Sequence, residues 1–157
     1  MDPSTKTGLV ILDCDGNVLV QKEITSKNKK DPQRFLDLAR EVYFHLFDDD
    51  KIAIEGFSYG SKGKGVSTQY GIGWIIRSKL INHDYKDIPP SVLKKFATGK
   101  GNVKKENMIL PIYQKWGFES DSDNIRDAYV LARISMALDG IGTLTKYQEE
   151  VIEKMKH

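Results

Sequence analysis

The stretch Gly8-Leu9-Val10-Ile11-Leu12-Asp13-Cys14-Asp15-Gly16-Asn17-Val18-Leu19-Val20-Gln21-Lys22-Glu23-Ile24 decides the fold. Gly8 to Asp13 is a short apolar run, Asp15-Gly16-Asn17 is a turn signal, and Val18 to Ile24 is rich in β-branched residues. The segment therefore predicts a β-hairpin. Polar, basic Ser26 to Lys30 follows as a loop, and Asp31-Pro32 is expected to open a helix reaching Phe47, as N-cap and first-turn proline. Phe35, Leu38, Ala39, Val42 and Leu46 recur there at three- and four-residue steps, giving one stripe to pack on a sheet. Lys51 to Glu55 then holds the apolar Ile52-Ala53-Ile54, short enough for a strand buried on both faces and ending at an acid.

Downstream, Gly56 to Gly65 reads as a glycine-rich loop and Val66 to Ile81 as a helix with Ile72, Ile75, Ile76 and Leu80 on its inner face. Gly71 and Gly73 are poor helix formers, which implies that something approaches this helix closely. After Ile88-Pro89-Pro90 the chain is basic as far as Lys105, and Glu106 to Trp116 looks helical. Asp123 to Leu138 is the clearest helix, and Thr143 to Lys156 has amphipathic helical spacing. The order predicts a single α/β domain, 1–157, with a mixed central β-sheet flanked by helices.

A chain of 157 residues with 39% hydrophobic content buries a core without staples. Cys14 is the only cysteine, so neither an intrachain disulfide nor a cysteine-rich zinc site is available, and a reducing, cytoplasmic setting is expected. No apolar run is long enough to span a bilayer, and Met-Asp-Pro-Ser-Thr-Lys lacks the apolar middle of a signal peptide. A net charge of +2 does not announce a nucleic-acid binder, so the distribution of charge has to decide.

Carboxylates occur where elements end: Asp2, Glu55, and Asp123 with Asp127, four residues apart at the start of a helix and able to share one face. Phosphodiester hydrolysis needs an activated water and a stabilised leaving oxygen, for which carboxylates holding two divalent cations are the usual solution; hard oxygen ligands suit Mg²⁺ or Mn²⁺. Each acid also has a plain structural role open to it, as terminal turn, solvated strand end or, for Asp123, N-cap. Asp127 stands apart: it lies beside Ala128, Leu131 and Ala132, where an unpaired carboxylate is costly and a metal would neutralise it.

Asp2-Pro3-Ser4-Thr5-Lys6-Thr7-Gly8 resembles the first catalytic motif of the RuvC Holliday junction resolvases, as carried by bacteriophages. Ile54-Glu55-Gly56 with Phe57-Ser58-Tyr59-Gly60 resembles the second, and Asp123-Asn124-Ile125-Arg126-Asp127-Ala128-Tyr129 the third. Between them, Pro89 to Asn102 is similar to the family's basic segment. The resemblance implies an RNase H-like fold, a divalent metal cofactor, a homodimer and a four-way DNA junction as substrate, in a phage-infected bacterial cytoplasm. Asp2, Glu55, Asp123 and Asp127 would then be catalytic metal ligands. Cellular members place the third-motif acids three apart; Asn124 stands at that spacing, which adds it as an alternative ligand. In the family the first aspartate closes a central apolar strand, so the first strand is expected to be truncated before Asp2.

Five lysines and no acid lie between Val92 and Lys105, namely Lys94, Lys95, Lys100, Lys104 and Lys105, interleaved with Gly99 and Gly101. Phosphate contacts are expected there, with glycines admitting backbone amides, although such a run is also compatible with a solvated face. Ser58, Tyr59, Ser61, Lys62 and Lys64, directly after Glu55, suit further DNA contacts, with Tyr59 or Phe57 able to stack on an unpaired base; strand alternation puts Phe57 on the face of Glu55. Tyr70, Gly71, Gly73 and Trp74 are the candidates for a dimer interface, with packing of Trp74 in the core as the alternative. Two rivals remain. The motif at Asp2 also resembles an actin-like phosphate loop, but the chain is too short for two subdomains around a nucleotide. A non-catalytic junction-binding protein is the rival from another class.

Overall fold

The structure is a computed structural model that describes residues 1–60, 62–63 and 65–157. The hairpin forms as expected, β1 (Thr7–Leu12) running antiparallel to β2 (Val18–Ile24). Its turn is closed by the Asp13 carboxylate, which accepts from the backbone N–H groups of Asp15 (3.0 Å) and Asn17 (2.8 Å). Helix α1 (Gln33–Phe44) starts later than the sequence suggests, because Asp31 does not cap it. The Asp31 carboxylate is occupied by a bidentate pair with Arg34, 2.8 Å at each oxygen.

Strand β3 (Ile52–Glu55), helix α2 (Val66–Lys79) and strand β4 (Tyr85–Ile88) form a parallel βαβ unit with Ile52 opposite Tyr85 and Glu55 opposite Ile88. Neither β4 nor the next helix, α3 (Pro90–Thr98), is expected from the sequence. Pro90 sits in the first turn of α3, where a missing N–H costs nothing, and Gly99 ends it at φ 84°, donating its N–H to Lys95 O. A 3-10 turn (Lys105–Met108) leads into α4 (Ile109–Trp116), followed by α5 (Asp123–Leu138) and α6 (Lys146–Lys156).

Residues alternate across the strands into two cores. Leu9, Ile24, Ile52 and Ile54 pack with α1 and α2 on one side. Val10 and Ala53 pack with α3 to α6 on the other, around Ala128, Leu131 and Ile134 of α5. The expected single central sheet is not continuous: β1–β2 and β3–β4 are separate two-stranded sheets. Only Met1 and Asp2 lie between them. Asp2 exchanges backbone hydrogen bonds with Gly8 (2.9 and 3.1 Å), while Met1 bonds to β3 through Ala53 O (2.6 Å) and Glu55 N (3.0 Å).

Helix α5 crosses both half-sheets. A Cβ on Gly8 would lie 2.1 Å from the backbone oxygen of Asn124, so this glycine is what lets the first turn of α5 rest on β1. Farther along, Arg133 donates to Gly16 O in the hairpin turn (2.9 Å), and Ser135 Oγ donates to Lys51 O beside β3 (2.9 Å). Among the described residues no helix is long and apolar enough to cross a membrane.

Candidate active site

The chain reverses sharply after Asp2. Thr7 Oγ1 donates to Ser4 O (2.7 Å) and Ser4 Oγ to Lys6 O (2.8 Å), a turn made by short hydroxyl side chains that brings Gly8 back against Asp2. Asp2 is thereby buried at 4% exposure beside the end of β3, where Glu55 stands. The carboxyl of Glu55 shares a hydrogen bond with Asp2, and burial together with the charge of Asp2 pushes it up to about 9. The Met1 amine, also buried here, is lowered to about 5 by desolvation.

The third side comes from α5. Ser122, not Asp123, caps the helix, accepting from Ile125 N at 3.2 Å, so Asp123 is free of the capping role. Asp123 and Asp127 do share a face: Lys105 Nζ donates to Asp123 Oδ2 at 2.9 Å and lies 3.0 Å from Asp127 Oδ2. Asp127 is 5% exposed, and burial raises its carboxyl despite the neighbouring ammonium. Hydrogen bonding to Lys105 lowers Asp123. Burial alone would lower Lys105, but the charge of Asp127 and the bonds to both aspartates outweigh it and raise the ammonium.

Asp2, Glu55, Asp123 and Asp127 are thus brought into one cluster with Lys105 inside it. Lys105 belongs to the carboxylates, not to a phosphate-facing run, because the 3-10 turn carries it against the first turns of α5. Asn124 is engaged elsewhere: its amide donates to Glu23 Oε2 at 3.2 Å, and the same oxygen accepts from Ser122 Oγ at 2.6 Å. Glu23, opposite Gly8 in the hairpin, therefore anchors the start of α5, a role that no spacing rule flags. The donor set is all hard oxygen and suits a divalent cation of the Mg²⁺ class, which would relieve the two raised carboxyls. Among the described residues, no three acids, imidazoles or thiols are already gathered around one point.

The rest of the expected site is spread out. Phe57 does not share the face of Glu55; the strand ends there and the ring turns onto α2, 4.3 Å from the Arg77 guanidinium and 5.1 Å from the Trp74 ring. Gly73 makes room for that ring and Gly71 for Phe35, each with a Cβ position 2.5 Å from a ring carbon. Their small size is explained within the chain rather than by a partner helix. Trp74 remains 61% exposed and Tyr59 86% exposed, and Tyr70 OH reaches Ser58 O at 3.5 Å. Ser58 and Lys62 are exposed, while Ser61 and Lys64 lie outside the described residues. Lys94 and Lys95 are half-buried on α3, and Lys100 and Lys104 are exposed beyond it; Gly99 caps α3 rather than opening a path to backbone amides.

Sequence reasoning misses Arg77. It is buried on α2 and donates to Glu55 O (2.9 Å), Gly73 O (3.1 Å) and Asp87 Oδ1 (3.0 Å from Nε), tying the end of β3 to α2 and β4. Its four-residue spacing from Gly73, on the apolar stripe of Ile72 and Ile76, is the one signal that points to it.

Thermus thermophilus RuvC superposes with a TM-score of 0.65 at 17% sequence identity, over 92% of this chain and 96% of that one. The fold is RuvC-like. T. thermophilus RuvC in complex with a Holliday junction substrate gives a TM-score of 0.58 at 19% identity, over 83% of this chain and 87% of that one. No family model matches the chain, and no curated protein does. Within a RuvC-like α/β frame, the carboxylate cluster is built from the ends of β3 and α5 and the turn after Met1.

Proposed function

We propose that this chain is a structure-selective endonuclease of the RNase H-like class that hydrolyses phosphodiester bonds in four-way and other branched DNA. The observation that carries the reading is the meeting of Asp2, Glu55, Asp123 and Asp127, distant in sequence, at one buried point of a RuvC-like fold. A bound divalent cation, Mg²⁺ or Mn²⁺, supplies an activated water and stabilises the leaving 3′-oxygen. Asp2, Glu55 and Asp127, with Asp123, are the residues that hold it, in one or two copies.

The chain's own groups do the rest. Arg77 fixes the backbone at Glu55, and Glu23 fixes the first turn of α5, so the acids are preorganised on rigid elements. Lys105 compensates the aspartates and is placed to meet a phosphate that enters beside them. Lys94, Lys95, Lys100 and Lys104 supply sequence-independent affinity, and Ser58, Tyr59 and Lys62 form an exposed approach next to Glu55. One domain holds one such cluster, whereas resolving a junction needs two opposed nicks; a twofold dimer through the exposed face of α2, with Tyr70 and Trp74, supplies the second.

A second reading is a junction-binding protein without chemistry, favoured by Lys105, whose ammonium already neutralises Asp123 and Asp127. Labelled four-way, flap, Y-form and linear DNA, incubated with the chain in Mg²⁺, in Mn²⁺ and in chelator, separates the two. Metal-dependent paired nicks in the four-way substrate are expected. Tight junction binding with no nick in any metal would leave the second reading standing instead.

A further inference from the structure

Between the half-sheets runs an open groove of about 370 Å³, walled by Val10 and Leu12 of β1, Ile52 and Ala53 of β3, and Ala132 and Met136 of α5. Met1 and Asp2 occupy its inner end and show what the groove is shaped for. Asp2 pairs with Gly8 in the antiparallel pattern, exchanging both backbone bonds. Met1 bonds to Ala53 O and Glu55 N, the slanted pattern of a parallel pair centred on Ile54. The same two residues thus lie in two ladders at once.

Continuing both ladders backward fixes a register. The first residue before Met1 faces Val10 and Ala53, the second Ile11 and Ile52, and the third Leu12 and Lys51. Alternation directs the Val10 peptide groups and the Ala53 N–H, which β2 and β4 do not use, into the groove. Side chains follow the same rule. Met1 is buried on the α1 and α2 side and Asp2 on the α5 side, so the first residue points over Ala132 and the second toward Leu46. Both faces are apolar, the environment of a strand buried on two sides. The outer end of the groove is rimmed by Asp13, Asp49, Asp50 and Asp139, which complements a basic residue at the start of such a strand.

We propose that the groove is the seat of a β-strand: a short apolar segment led by Lys or Arg and joined to Met1 by a peptide bond. It lies antiparallel to β1 and parallel to β3 and merges the half-sheets into one, in the order β2, β1, inserted strand, β3, β4. Asp2 then stands at the end of a fully paired strand.

The test prefixes Lys-Ile-Val-Ile to Met1. Hydrogen exchange at the Val10 and Ala53 amides is expected to slow by roughly tenfold or more, the effect of a net hydrogen bond, and the melting temperature to rise by several degrees. A Lys-Ile-Pro-Ile prefix, similarly apolar but lacking the N–H needed opposite Ile52, should give neither. Ala132→Trp, which fills the floor of the groove, should cancel the gain in the Lys-Ile-Val-Ile chain. Unchanged exchange with the first prefix, equal protection with the proline prefix, or a gain that survives Ala132→Trp would each overturn the proposal. So would protection by free Lys-Ile-Val-Ile peptide where the joined segment gives none. Neither readout involves cleavage, so the outcome is independent of the nuclease reading.

Discussion

Helices α5 and α2 both begin beside the carboxylates, and their first turns are built in opposite ways. The first turn of α5 is capped by Ser122, anchored through Glu23 and pressed onto Gly8 with backbone against backbone. The first turn of α2 starts at Gly65 with no side-chain cap, and its near neighbours are Pro3, Glu55 and the exposed Ser58. One end fixes charged groups where displacement is costly; the other leaves an open approach next to them. Chemistry and access are thus divided between two helix ends instead of sharing one loop.

The largest test of that division is chemical. Glu55→Gln and Asp127→Asn should each reduce junction cleavage by roughly 10²-fold or more, since even outer partners of a metal cost about 10- to 100-fold. Junction affinity in gel shifts should change little, because the lysines remain. Full cleavage by Asp127→Asn would remove α5 from the chemistry and collapse the contrast.

A glycine pair sharpens the comparison. Gly8→Ala places a methyl against Asn124 backbone atoms at 2.1 and 2.6 Å, so it should cost at least about 1–3 kcal/mol in urea unfolding. Gly65→Ala meets nothing within 4 Å at an ordinary backbone angle, φ −85°, and should stay within about 0.5 kcal/mol. Equal losses at the two sites would mean that α5 is no more tightly seated than α2.

The pH dependence should also separate the two ends. Glu55 is raised from 4.5 to about 9, so within that window the folded chain holds a proton that the unfolded chain has released. Stability in chelator should therefore fall as pH rises through the window, and Asp127, also raised, adds to the fall at its lower end. Asp123, lowered, acts in the opposite sense only at acid pH. Thermal melts of Glu55→Gln should be flatter above about pH 6; an unchanged slope would place the titrating group elsewhere.

The smallest effect concerns the lysines. Neutralising Lys94 with Lys95, or Lys100 with Lys104, should weaken binding to every branched substrate alike and reduce the salt slope by about one unit for each phosphate that no longer meets a lysine. Lys105→Ala should differ in kind, lowering cleavage more than affinity. A slope that does not move would identify the α3 lysines as a solvated face.

The hairpin, β3 and α5 are legible in the sequence because turn residues and apolar periodicity there agree with the tertiary environment. Strand β4, Tyr85-Lys86-Asp87-Ile88, is not: only Ile88 is buried, so no apolar run announces it. Helix α3 hides behind Pro89-Pro90 and its own lysines. The four acids stand out by position, but which lysine joins them does not, since a run of like charges carries no sign of the one that folds inward. Gly71 and Gly73 do mark points of close approach, yet the approaching groups, Phe35 and Phe57, are distant in sequence.

Helix α5 has one more consequence. It is fastened to the hairpin at Gly8 and through Arg133 to Gly16, and to the other half-sheet through Ser135 to Lys51. It works as a splint across a break. Neither half-sheet can peel away without lifting the helix from the other, so β1 and β3 amides should open together at one free energy, as a single cooperative unit, although no hydrogen-bonded ladder joins the two strands directly.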